Sequence, residues 1–191
     1  LTKCAAGIAH MHEKGWVHRD IKPDNFLLSD ATDVKLIDFT ISQKISSGLG
    51  ALFRRRGPVR GTRSYMSPEQ IRNEALDARA DVYSLGCVMY ELLTGRPPFS
   101  GVSPNDLLTK HLKAPIPAVL VHNDNVTTEL SDFIRQMMAK ERDQRPKGMV
   151  EVLKHIRSKR SFKIAQPLKD AGKVGGDIGH AQRVALLLSM I

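Results

Sequence analysis

The chain has 191 residues, 41% of them hydrophobic and 26% charged, with a formal net charge of +9. That is enough for one globular domain with a proper core. Its two cysteines, Cys4 and Cys87, both fall on apolar helical faces and read as buried thiols of a reducing compartment, which excludes a disulfide framework.

The positive charge by itself fits a nucleic-acid or anionic-membrane partner. It is concentrated, however, in Arg54-Arg55-Arg56 with Arg60 and Arg63, and in Lys154, Arg157, Lys159, Arg160 and Lys163, without the aromatic interleaving of a stacking platform. No nucleic-acid partner is expected.

Leu1, Cys4, Ala5, Ile8 and Met11 recur at helical spacing and predict a helix from Leu1 to about Lys14, stopped by Gly15. The helix is already under way at a residue that is not methionine, so the true start of the protein is expected upstream. Phe26 to Phe39 predicts a β-hairpin: Leu27-Leu28 and Val34 to Ile37 give two short apolar strands, Ser29-Asp30 with Thr32-Asp33 the turn. Asn25 stands at one end of that segment and Asp38 at the other.

Thr40 to Pro68 holds Gly48, Gly50, Gly57, Pro58 and Gly61 among serines and arginines, a composition that keeps no regular element without tertiary support. From Arg79 to Thr94, Val82, Leu85, Gly86, Met89, Leu92 and Leu93 predict a helix too apolar for the surface, ended by Gly95 and Pro97-Pro98. Asp81 near its start reads both as a cap and as a holder of other backbone amides. A short helix is expected at Leu107 to Leu112 and a clearer one at Thr128 to Lys140, with Leu130, Phe133, Ile134, Met137 and Met138 on one face. Pro146 is expected to open a last helix with Met149, Val150, Leu153 and Ile156 facing inward.

After Lys163 the pattern fades. Gly172-Lys173-Val174-Gly175-Gly176 lacks the upstream glycine and the following hydroxyl residue of a phosphate-binding loop, so 164–191 reads as a flexible tail or linker. Val184 to Ile191 is too short for a membrane span unless the chain continues.

The decisive string is His18-Arg19-Asp20-Ile21-Lys22-Pro23-Asp24-Asn25, followed by Asp38-Phe39. It resembles the catalytic loop of the protein kinase family. Asp38-Phe39-Thr40 stands where that family has Asp-Phe-Gly, and Ser67-Pro68-Glu69 where it has Ala-Pro-Glu. Phosphoryl transfer passes through a loose transition state, so few side chains suffice to orient the nucleophile and neutralise charge.

The resemblance implies that Asp20 accepts the proton of the substrate hydroxyl and that Asn25 and Asp38 each hold a magnesium ion. It also implies that Lys22 places a point charge near the transferred phosphate, the mark of serine/threonine-directed members. Lys22, Asn25 and Asp38 would thus contact ATP. His18 and Thr40 flank these groups. Asp81 would brace the loop, and Arg145 in Arg142-Asp143-Gln144-Arg145-Pro146 would pair with Glu69. Thr62 in Gly61-Thr62-Arg63-Ser64-Tyr65 matches the threonine that contacts Asp20 and Lys22. Arg19 is the arginine that pairs with a phosphate added to the activation loop, with Ser46, Ser47, Thr62 and Ser64 as candidate acceptors and Ser46 or Ser47 preferred.

The expected fold class is therefore mainly α with a small β-hairpin, the C-terminal lobe of the kinase fold over 1–163, with the N-terminal lobe absent. No Gly-rich phosphate loop and no strand lysine of the Val-Ala-Ile-Lys type occur in these residues. The implied function is transfer of the γ-phosphate of ATP to Ser/Thr of a protein substrate, with ATP and Mg2+ as cofactors, in a bacterial-type member. Its catalytic region is expected to be cytoplasmic, and a membrane anchor of the parent is left open. The alternative is a non-catalytic binding or scaffold module, which draws on Thr40 and the missing lobe. Threonine in place of glycine is expected to narrow the loop's range of motion.

Overall fold

A computed structural model of the chain describes residues 2–28, 33–45 and 60–158. In chain order its elements are α1 (Thr2–Glu13), β1 (Trp16–Val17), β2 (Phe26–Leu28), β3 (Val34–Leu36), β4 (Gln43–Lys44), α2 (Pro68–Ile71), α3 (Ala78–Thr94), α4 (Pro104–Lys113), α5 (Thr128–Met137) and α6 (Met149–Ser158). Single 3-10 turns lie at Pro23–Asn25, Arg63–Tyr65, Val119–Val121 and Arg142–Gln144. The described part is mainly helical with two small antiparallel sheets.

Every residue of α3 from Ala80 to Leu93 is buried, in keeping with a largely apolar sequence in which Asp81, Ser84 and Glu91 are the polar exceptions. Asp77 caps its start by accepting from the Arg79 amide, and Gly95 ends it at φ 73° in the left-handed region. Helix α5, capped by Thr127, packs on α3 through Leu130, Phe133, Ile134 and Met137. The two helices touch at Gly86, where a Cβ would sit 2.9 Å from Met138 Cγ. On the other side α1 buries Cys4, Ala5, Ile8 and Ala9 and packs against α6.

The last helix departs from expectation. Pro146 does not open it; the helix starts at Met149, and Val150, expected inside, is 67% exposed while Val152 is fully buried. The inward stripe is Met149, Val152, Leu153 and Ile156, spaced i, i+3, i+4 and i+7, which turns Val150 outward.

The hairpin forms as β2 and β3, with Phe26 opposite Leu36 and Leu28 opposite Val34. The second pair, β1 with β4, was not foreseen: Trp16 lies opposite Lys44 and Val17 opposite Gln43. Strand β4 lies in the stretch read as irregular, and β1 supplies the tertiary support that its composition lacks.

Helix α4 carries His111, fully buried, with Nδ1 2.9 Å from the Tyr83 hydroxyl and its ring against Phe99. Burial, helped by the Lys140 charge, pushes its pKa down to about 4. The folded value lies below the unfolded one, so the unfolded chain takes up the proton first as pH falls. The stability contribution is complete above about pH 6.5 and is lost toward pH 4. Urea unfolding is expected to show roughly 2 kcal/mol less stability from this group at about pH 5 than at about pH 7, with the His111 imidazole resonance still in its neutral position. An imidazole that titrates near pH 6.5 in the folded chain would contradict this.

Candidate active site

The loop from His18 to Asn25 is held from below by Asp81, in the first turn of α3 and fully buried. Its Oδ2 accepts from the His18 amide at 2.8 Å and its Oδ1 from the Arg19 amide at 2.9 Å, while His12 Nε2 lies 2.8 Å from Oδ2. The carboxylate therefore serves a distant loop, and Asp77 does the capping. Arg19 sits at φ 74°, a backbone conformation that the two anchored amides stabilise. The buried His18 ring accepts the Asp20 amide at Nδ1 (3.3 Å), so Nε2 carries the proton and donates to the Ile37 carbonyl at 3.0 Å. That bond ties the loop to the strand leading into Asp38.

Above this base the polar groups converge. Asp20 Oδ1 accepts from the Thr62 amide at 2.8 Å, and its Oδ2 lies 3.1 Å from Lys22 Nζ and 3.3 Å from Asn25 Nδ2. Lys22 Nζ also donates to Thr62 Oγ1 at 3.2 Å. Burial alone would raise the Asp20 pKa; hydrogen bonds from Thr62 and Lys22 and the lysine charge outweigh it and hold the carboxyl below its ordinary range. Thr62 reaches this position because Gly61, at φ 122°, lets the backbone pass close to Arg19, where an added Cβ would lie 3.0 Å from the carbonyl oxygen.

Asn25 directs its amide nitrogen at the Asp20 carbonyl (2.8 Å) and carboxylate, so its side-chain oxygen is the atom left for a cation. The ends of the hairpin segment meet: the Ile37 amide donates to the Asn25 carbonyl at 3.0 Å, which sets Asn25 and Asp38 at the same open end. Asp38, exposed and at φ 61°, accepts at Oδ1 from the Thr40 hydroxyl (2.6 Å) and the Thr40 amide (3.3 Å). These two bonds, hydroxyl first, hold its carboxyl below the usual range. Phe39 is 53% exposed, with its ring edge-on to His18.

Among the described residues no three His, Cys, Asp or Glu side chains gather as a metal cage. One amide oxygen and one carboxylate, both hard donors, still suit a magnesium ion that draws its remaining ligands from phosphate and water. The donor set fits that ion.

Farther out, Arg145 is fully buried and all its donors are used. Nη1 and Nη2 meet the Glu69 carboxylate at 2.7 and 2.9 Å, Nε donates to the Ala139 carbonyl, and the remaining bonds go to the Arg79 and Lys140 carbonyls. The Arg19 guanidinium points to Ile41 O (3.3 Å) and Gln43 Oε1 (3.2 Å), beside β4. Ser64 is half-buried in the 3-10 turn after Thr62. Ser46 and Ser47 lie outside the described residues, as does 164–191.

The family model described as protein kinase domain matches residues 1–156. The chain belongs to the protein kinase family. Over 142 residues it is 43% identical to the serine/threonine-protein kinase PknB of Mycolicibacterium smegmatis, an alignment that covers 74% of this chain and 22% of that protein. It is 40% identical over 134 residues to the serine/threonine-protein kinase PknL of Mycobacterium tuberculosis, covering 70% and 33%. With the pknA2 protein of Bifidobacterium longum it shares 33% identity over 184 residues, 95% of this chain and 24% of that one, so this likeness runs past Lys163. The chain thus spans about a fifth to a third of the length of these curated relatives.

Three supporting residues of this kinase chain escaped the sequence reading. His12 carried no signal beyond its place on an amphipathic helix. Gln70, whose Nε2 donates to the Arg19 carbonyl at 2.8 Å, was signalled by the capping box that it forms with Ser67 three residues earlier. Glu91, 2.6 Å from the Tyr65 hydroxyl, is a buried carboxylate in the apolar second half of α3 and therefore called for a partner.

Proposed function

We propose that residues 1–163 are the helical lobe of a serine/threonine protein kinase domain that transfers the γ-phosphate of ATP to a hydroxyl of a protein substrate, with 164–191 as a tail. The observation that carries this reading is the convergence of Lys22, Asn25 and Thr62 on the Asp20 carboxylate, each within hydrogen-bonding distance of it, with Asp38 at the open end of the hairpin that follows Asn25. In this reading Asp20, ionised at neutral pH, orients the acceptor hydroxyl and takes its proton. Lys22 neutralises charge on the transferred group, and Thr62 fixes both. Asn25 and Asp38 would hold magnesium, which supplies charge neutralisation on the triphosphate. Phosphate added at Ser46 or Ser47 would pair with Arg19.

The Gly-rich loop and strand lysine that form the facing wall of a kinase nucleotide site are not found in the sequence. These 191 residues alone are therefore expected to bind magnesium-ATP only in the millimolar range, with the Asn25 side-chain amide and the Asp38 and Thr40 amides broadened when Mn2+ replaces Mg2+ in an NMR titration. Micromolar affinity in a calorimetric titration would refute the lobe assignment; broadening centred elsewhere would refute the metal ligands. No helix among the described residues is long and apolar enough to cross a membrane.

A further inference from the structure

We propose that Thr40 is a positioning residue for the metal-binding carboxylate: its hydroxyl fixes Oδ1 of Asp38 so that Oδ2 is the oxygen presented to a divalent cation. The inference deepens the reading above and rests on it.

Asp38 is exposed and sits on a left-handed turn, where little packing restrains its side chain. Its restraint comes from Thr40. The Thr40 hydroxyl and amide both donate to the same oxygen, Oδ1, at 2.6 and 3.3 Å. A hydroxyl at that distance from a carboxylate is a short, charge-assisted bond. Among the described residues Oδ2 carries no hydrogen bond, and a carboxylate has acceptor capacity on each oxygen. One oxygen is held and the other is open.

The backbone makes this arrangement inexpensive. Arg19, Asp38 and Asn73 are the described non-glycine residues with positive φ, and Thr40 is not among them. The turn therefore demands its left-handed residue at Asp38, and a β-branched side chain fits at Thr40 without strain. Branching also leaves few χ1 rotamers, so little entropy is lost when the hydroxyl is directed at the carboxylate. Glycine, which stands here in the family motif that the chain resembles, can offer the amide bond but not the hydroxyl. Thr40, which as a departure from that motif argued for a non-catalytic module, becomes an outer-shell partner of the metal ligand.

The test is Mn2+ binding to the full 191-residue chain, followed by water-proton relaxation, with broadening of the Asn25 side-chain amide reporting that the ion is at this site. Thr40→Val keeps the branched shape and removes the donor, Thr40→Ser keeps the donor and removes the branch, and Thr40→Gly removes both. Outer-shell partners commonly account for 10- to 100-fold in metal affinity, so Val and Gly are expected to weaken binding about tenfold, with Ser within about twofold of the parent. Unchanged or tighter binding in Thr40→Val, with Asp38→Asn still weakening it, overturns this inference and leaves the site reading standing. Unchanged binding in Asp38→Asn overturns the site reading itself. Weakening in Ser equal to that in Val would assign the effect to backbone stiffness and also overturn the inference.

Discussion

Arg145→Ala is expected to lower the stability of the chain by about 3–5 kcal/mol, the range for breaking a buried ion pair from one side. The guanidinium is fully buried and divides its donors among the Glu69 carboxylate and the carbonyls of Arg79, Ala139 and Lys140. Removing it strands a buried carboxylate and three carbonyls, and leaves a void beside the Tyr83 ring that it covers at 4.9 Å. The pair also joins α2, the start of α3 and the turn after α5, so its loss separates three elements at once. Arg145→Lys fails too, since an ammonium cannot reproduce the bidentate fork. Arg145→Met combined with Glu69→Leu is expected to be milder than Arg145→Ala, because no unpaired charge remains. Urea denaturation of the three variants checks this, and a double variant as unstable as the single one would contradict it.

Asp20→Asn is the second. If Asp20 takes the substrate proton, the amide should lower the rate of phosphoryl transfer by about 10²–10⁴-fold, the usual contribution of a general base. The shape is conserved, and the side-chain oxygen can still accept the Thr62 amide, so nucleotide affinity should change less than about threefold. The hydrogen bonds and lysine charge that outweigh burial keep the wild-type carboxylate ionised well into acid, so its role as acceptor should be lost only below the ordinary carboxylate range. The measurement is kcat and KM for ATP in the active protein carrying these residues. A parent-like kcat would remove Asp20 from the chemistry.

Much of this site could be read in one dimension. The spacing of Asp20, Lys22 and Asn25 puts them in one loop, and a short apolar pair of strands after Asn25 puts Asn25 and Asp38 at the two ends of one hairpin. Helices α1, α3 and α5 followed from their apolar periods, and the C-terminal end of α3 from Gly95 and the prolines. The start of α6 was misjudged because a proline often, but not always, stands at the first helical position; here the first turn is set by Lys147 and Glu151, whose carboxylate accepts the Lys147 amide. Strand β4 was missed because Gln43 and Lys44 have no intrinsic preference that outweighs a polar context, and their ladder partner lies far upstream.

By itself the sequence determined which chemical groups are present, the period of each long helix, and the hairpin that links Asn25 to Asp38. These depend on neighbours in the chain, where spacing and side-chain type are enough. Only the tertiary structure decided what each polar group is used for: that Asp81 braces the loop and not its own helix, that Arg145 satisfies three carbonyls besides Glu69, and that Thr40 bonds the carboxylate beside it. The first depends on amides 63 and 62 residues away, and the second on the Glu69 carboxylate and the Arg79 carbonyl, 76 and 66 residues away, which no local pattern specifies. The third depends on a left-handed turn at Asp38, a backbone choice that an aspartate permits but does not dictate.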